Sequence, residues 1–169
     1  TNILENPPEY REITARLYAA ESRTRLIQEV LLGFGGMRAL RALGIVPKVL
    51  HLNEGHCAFA AVERLAQTAE ALGVDAETAL QICARSTVFT THTPVAAGHD
   101  EFPADLVRPY IRPIAETLGL PEKDILAWGQ TQGAHEHAPL SMFVLGVRLA
   151  GACNGVSRLH RSMARRIWS

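Results

Sequence analysis

Residues 46–56 read Val46-Pro47-Lys48-Val49-Leu50-His51-Leu52-Asn53-Glu54-Gly55-His56. The apolar, partly β-branched run up to Leu52 is bounded by turn residues and predicts a short strand over 46–52 that delivers its end to a polar cluster. Downstream, Phe59, Val62, Leu65, Ala69 and Leu72 recur at helical spacing and predict a helix over 57–73 that stops at Gly73. Asp75 is suited to cap a further helix reaching about Ala84. Thr87-Val88-Phe89-Thr90-Thr91 then predicts a second strand, which delivers His92. Strands alternating with helices point to an α/β layer with a parallel sheet.

On the N-terminal side, Ile13, Leu17, Ala20, Ile27 and Val30 or Leu31 predict one or two amphipathic helices ending near Gly33. Gly33, Gly35 and Gly36 are best explained by close helix packing, because no strand precedes them and no Walker lysine follows to make a phosphate cradle. A short helix over 37–43 is closed by Gly44. On the C-terminal side, residues 92–103 contain Pro94, Gly98 and Pro103 and read as loop. Short helices follow over 104–118 and 121–128, with Pro109 and Pro113 expected to break the region. Residues 141–150 suit a buried helix. Leu159, Met163 and Ile167 stripe a last helix whose Arg158, Arg161, Arg165 and Arg166 face water. Two strands among so many helices are too few for a closed domain, so the chain reads as helix-rich and incomplete.

Lys plus Arg and Asp plus Glu are both 17, so no net field favours nucleic acid or an anionic membrane. Apolar runs such as 30–34 and 142–145 fall far short of the roughly 20 residues of a spanning helix. The N-terminus lacks the basic and apolar regions of a signal peptide and an initiator Met, and is expected to be truncated. Cys57, Cys83 and Cys153 are odd in number and set in apolar surroundings, which predicts buried free thiols and a cytoplasmic location.

In open α/β sheets, ligands bind outside the carboxyl ends of the strands. Both polar clusters stand at such ends. Parallel neighbours would bring Glu54, His56, His92 and Thr93 into one crevice suited to a polyhydroxylated ligand. The same residues also have structural readings: Asn or Glu after a strand serves as a cap or turn former, and a loop His is often simply hydrogen-bonded. A metal centre is the rival. His135-Glu136-His137 invites it, but no HExxH, paired CxxC or His pair at helical spacing is present, and that run reads as an exposed loop. No GxSxG elbow or other nucleophile signature appears.

Three stretches, HLNEGHCAFAAVERL (51–65), VFTTHTPVAAGHDEFP (88–103) and NGVSRLHRSMARRIW (154–168), resemble the α-glucan (glycogen, maltodextrin) phosphorylases, in that order and spacing. RLIQEVLLGFGGMRALRALGI (25–45) and SMFVLGVRLAGACNGVSRLH (141–160) extend the resemblance over nearly the whole chain, most closely to the shorter bacterial and archaeal branch. The resemblance implies a helix-rich, partial Rossmann-like α/β fold: residues 1–169 as the later part of the N-terminal domain of a two-domain, GT-B-like glycosyltransferase whose C-terminal cofactor domain is absent here. It implies phosphorolysis of α-1,4-glucan to glucose 1-phosphate with inorganic phosphate. Pyridoxal phosphate would be held by a Lys outside this chain, and the two phosphates would take over the proton transfer that paired carboxylates perform in glycoside hydrolysis.

By the same resemblance, His92 is catalytic. Its side chain would lie near the sugar 6-hydroxyl, and its carbonyl would face the ring where positive charge develops. Glu54, His56 and Thr93 match the polar channel beside that subsite; Asn154, Gly155 and Val156 match a segment touching the sugar. The implied partners are the glucan, phosphate and the missing C-terminal domain, with no nucleic acid or membrane and a homo-oligomer left open. The alternatives are a catalytically silent carbohydrate-binding module and a metal-dependent hydrolase. Two positions depart from the family pattern: Tyr18-Ala19-Ala20-Glu21 stands where a Tyr, a glycine pair and Asp are usual, and Glu101 replaces a basic residue.

Overall fold

The entry to the first long helix is fixed by Glu21, whose carboxylate accepts from the backbone N–H groups of Arg23 (2.9 Å) and Thr24 (2.6 Å) and so satisfies two amides without a helical partner. The computed structural model describes residues 2–17, 19–92, 99–131, 133–135 and 137–157. After a single turn, α1 (Pro8–Arg11), the chain forms α2 (Ser22–Val30), passes through a π-helical turn at Leu31–Gly35 and continues as α3 (Gly36–Ala42). The helix therefore does not end near Gly33. The three glycines lie inside it, and a Cβ on Gly33 would stand 2.5 Å from Phe59 Cβ and 2.8 Å from the Ala60 nitrogen. Gly33 is needed for close approach, and Phe34 stacks on Phe59 beside it with ring centroids 4.8 Å apart.

Next come β1 (Leu50–Asn53), a 3-10 turn at Gly55–Cys57, α4 (Phe59–Leu72), α5 (Ala76–Ala84) and β2 (Thr87–Thr91). Gly73 ends α4 at φ 63°, and Asp75 caps α5 through the Thr78 amide at 2.7 Å, both as the sequence predicts. The first strand is shorter than its predicted span. Leu50 pairs with Thr87, the first residue of β2, so Val46 to Val49 have no partner there, and Val46 and Val49 are exposed.

The remainder comprises β3 (Glu101–Phe102), α6 (Ala104–Leu118), α7 (Glu122–Trp128), β4 (Leu140–Ser141), α8 (Met142–Leu149) and β5 (Ala152–Gly155). Pro109 and Pro113 do not break α6, which runs through both. Its apolar stripe of Ala104, Val107, Ile111, Ile114 and Ala115 is buried, and that burial outweighs the lost amides. The predicted last helix, 159–167, lies outside the described residues. His135 and His137 are exposed, as expected of a loop. Among the described residues no helix is long and apolar enough to cross a membrane.

β1, β2 and β5 form a parallel sheet in the order β1-β2-β5, and β3 pairs antiparallel with β4. The fold is thus mixed helix and parallel sheet. The alternation of the strands sends Leu52 and Phe89 into the core, where Phe89 meets Phe143 of α8 edge to face at 5.5 Å. A Cβ on Gly146 would stand 2.5 Å from the Phe89 ring, so α8 approaches the sheet through a glycine. Cys83 is buried and Cys57 half-buried as a free thiol, but Cys153 is exposed, against expectation, because β5 is an edge strand.

Candidate functional site

The carboxyl ends of the three parallel strands bring most of the sequence-predicted residues together. Asn53 pairs with Thr90, Thr90 with Asn154, and Thr91 with Gly155, and the Val156 N–H donates to the Thr91 carbonyl at 3.1 Å. Glu54, His92, Asn154, Gly155 and Val156 therefore stand at one end of one sheet. Thr93 lies outside the described residues. Across the sheet, His51 Nε2 meets Thr90 Oγ1 at 2.7 Å and Thr90 Oγ1 meets Asn154 Oδ1 at 2.9 Å. A hydroxyl has one proton to give, so if Thr90 donates to Asn154 it accepts from His51, which puts the imidazole proton on Nε2.

Glu54 is the unusual residue of the cluster. Its backbone has φ 75° and ψ 174°, a region almost reserved for glycine that costs a side-chain-bearing residue about 1–3 kcal/mol. Several contacts hold it there. The Glu54 N–H continues the sheet to the Thr90 carbonyl at 2.9 Å, and the Glu54 carbonyl accepts from the Cys57 thiol at 3.3 Å. Its carboxylate Oε1 accepts from the backbone N–H of His92 and, at 3.4 Å, from the Thr91 hydroxyl. Oε2 lies 3.9 Å from Nδ1 of His99, whose side chain is buried with its ring against Phe143.

Gly55 is required for space rather than torsion. A Cβ there would meet the Phe143 nitrogen at 2.9 Å and the Met142 carbonyl carbon at 3.0 Å, both rigid backbone at the start of α8. Gly55→Ala is expected to destabilise the protein by about 1–3 kcal/mol, seen as a lower urea midpoint at unchanged slope. An unchanged midpoint would mean the loop does not rest on α8 as described.

His56 faces elsewhere. It lines a cavity of about 240 Å³ together with Thr14, Arg16, Arg25, Gln28 and Glu29, on the α2 side of the sheet end. Burial, joined by the Arg25 guanidinium, lowers the His56 imidazole below its ordinary value. Behind it Arg25 donates to Asp100 (2.8 Å) and reaches Glu29 Oε1 (2.9 Å). Glu29 is 1% exposed, and burial together with the adjacent Asp100 pushes its carboxyl up to about 9. At neutral pH Arg25 therefore stands 2.9 Å from a neutral acid at Glu29 rather than from a carboxylate. Burial works against ionisation of Asp100 too, but Arg25 and the Glu29 proton outweigh it and hold Asp100 below the usual range.

Sequence reasoning missed Arg25, Glu29, His99 and Asp100 as members of this neighbourhood. The only signal was that Arg25, Gln28 and Glu29 sit in one of the quoted motifs, and His99 and Asp100 in another. Among the described residues no group of three or more His, Cys, Asp or Glu side chains is arranged to hold a metal ion.

The polar cluster stands at the carboxyl ends of the parallel strands, the place at which open α/β sheets bind their ligands. Sequence comparison narrows the class. No family model matches the chain. It is 43% identical over 168 residues to the maltodextrin phosphorylase of Thermococcus litoralis, covering 99% of this chain and 19% of that protein. It is 40% identical over 184 aligned residues to the glycogen phosphorylase of Mycobacterium tuberculosis (100% and 21%) and 29% identical to that of Aquifex aeolicus (100% and 24%). The chain is a homologue of the glycogen and maltodextrin phosphorylases along its whole length, and spans about a fifth of the length of the first two.

Proposed function

We propose that this chain forms part of the glucan-facing wall of an α-1,4-glucan phosphorylase, as the later part of the N-terminal domain of a GT-B-like enzyme working in the cytoplasm. The whole protein would use inorganic phosphate to release glucose 1-phosphate from a maltodextrin or glycogen. One observation carries the reading: Glu54 and His92 emerge side by side from neighbouring parallel strands, with the Glu54 carboxylate on the His92 amide. His92 serves the reacting sugar, its imidazole directed at a hydroxyl and its carbonyl dipole at the ring carbon where positive charge grows. Such a dipole stabilises the transition state more than the ground state. On this reading Thr93, Asn154, Gly155 and Val156 complete the wall by binding and orienting the glucan, while His56 faces the cavity on the α2 side.

The family's cofactor, pyridoxal phosphate, does not fit the residues present. It is held through a lysine, and of the two lysines here Lys48 precedes β1 at its amino end while Lys123 lies in α7. The cofactor, and the domain carrying its lysine, belong to the remainder of the protein. The same fact favours a second reading for these residues in isolation: a carbohydrate-contacting module without activity of its own.

The test is an assay of the full-length protein with maltodextrin, with and without inorganic phosphate. Glucose 1-phosphate should appear only with phosphate; no release, or release of free glucose independent of phosphate, would overturn the proposal.

A further inference from the structure

We infer that Glu54 is a positioning residue for His92: its carboxylate clamps the main chain at the end of β2 and so aims the His92 carbonyl and imidazole, rather than serving the sugar itself. The inference rests on the phosphorylase reading for its functional part only.

The geometry supplies the argument. Oε1 of Glu54 already receives two donors, the His92 backbone N–H and the Thr91 hydroxyl, from consecutive residues at the carboxyl end of β2. The other oxygen faces the buried ring of His99. Both carboxylate oxygens are thus directed at the protein, and the side chain is mostly buried, 13% exposed, whereas His92 is exposed. The main chain of β1 reaches this arrangement through a glycine-like torsion at Glu54, φ 75°. With an ordinary strand torsion the chain would leave β1 in another direction. The side chain would then start from elsewhere and would not meet the first residue beyond β2. Strain of this kind persists where the surrounding contacts over-determine it. Here they do: the Thr90 carbonyl, the Cys57 thiol and the packing of Gly55 on α8 all fix the same turn.

A peptide amide held by a carboxylate fixes the orientation of its peptide plane. Because the residue's own carbonyl lies only two single bonds further along the chain, it leaves His92 fewer torsions in which to wander. Preorganised dipoles stabilise a developing charge without reorganising at the moment of reaction. Glu54 would thus act on catalysis through the main chain of its neighbour.

The experiment uses the full-length protein and three measurements. In the wild type, the His92 amide should exchange with deuterium at least about tenfold more slowly than in a free peptide, as a hydrogen-bonded amide does; exchange at the free-peptide rate overturns the clamp without any variant. Glu54→Ala should lose that protection, and Glu54→Gln, which keeps a carbonyl oxygen at the same reach, should retain most of it. In phosphorolysis, Glu54→Ala should lower kcat about tenfold with the KM for maltodextrin within about twofold, and Glu54→Gln should recover most of the loss. A rise in KM at unchanged kcat would mean that Glu54 binds the glucan directly, which overturns the inference. Loss of protection with no loss of kcat also overturns it. A protected His92 amide in a protein with no phosphorolysis would leave the clamp standing and remove the phosphorylase reading instead.

Discussion

On the phosphorylase reading proposed above, replacing His92 by Ala in the full-length protein is expected to lower turnover about a hundredfold or more, while the absorbance of a cofactor held elsewhere in the protein would stay unchanged. The size follows from what is lost. Ala keeps the backbone carbonyl but removes the imidazole proposed to fix a sugar hydroxyl, and a misplacement of about 1 Å at a reacting centre alone costs about a hundredfold. The loss should fall on kcat more than on KM, because on that reading a glucan would make most of its contacts away from the reacting ring. Stability should barely change, since His92 is exposed and the hydrogen bond from its backbone N–H to the Glu54 carboxylate survives the substitution. Near-normal turnover would remove His92 from the chemistry, and a collapse of stability would mark it as a structural residue.

How far this site can be read without coordinates depends on the residue. β2 was legible because Thr87, Phe89, Thr90 and Thr91 are buried and Val88 half-buried, and a strand embedded in this way selects β-branched and aromatic side chains. β5 was not: Ala152-Cys153-Asn154-Gly155 has no such residue, and it becomes a strand because β2 offers it a free edge in register. Asn154 and Gly155 were therefore found through family resemblance and not as the end of a strand. Val46 and Val49 misled in the opposite way, carrying strand propensity where β2 has not yet begun and no ladder can form.

The turn at Glu54 shows a subtler limit. Asn53-Glu54-Gly55 signals an unusual torsion, and by residue type Gly55 or Asn53 should take it. Instead Glu54 takes it, and Gly55 is consumed by the need to lie against the backbone of Met142 and Phe143. A tertiary contact has reassigned the local roles. The same holds for Arg25 and Asp100, 75 positions apart, which meet only because α2 packs beside the segment that leads into α6.

That meeting has a consequence for pH. With its carboxyl raised from 4.5 to about 9, Glu29 keeps its proton in the folded protein at pH values where the unfolded chain has released it. The native state then binds more protons than the unfolded state, so this group's stabilisation is complete below about pH 4.5 and is lost as pH rises towards 9, at about 1.4 kcal/mol per pH unit at most. The neighbouring groups act elsewhere. Asp100, held low, adds stability that is lost only as pH falls below its unfolded value of 3.8, and His56, also lowered, titrates below 6.5. Arg25 remains charged throughout. Between pH 7 and 8.5 Glu29 is thus the member of the cluster that moves, and Glu29→Gln isolates it. The amide cannot ionise, yet it matches the neutral acid in size and shape and keeps polar atoms towards Arg25 and Asp100. The variant should lose the alkaline decline and gain about 2 kcal/mol on the wild type across that window. Urea unfolding at a series of pH values reads this directly. Stability curves that run parallel from pH 7 to 8.5 would mean that Glu29 is ionised in the fold, and that Arg25 is shared between two carboxylates rather than between a carboxylate and an acid.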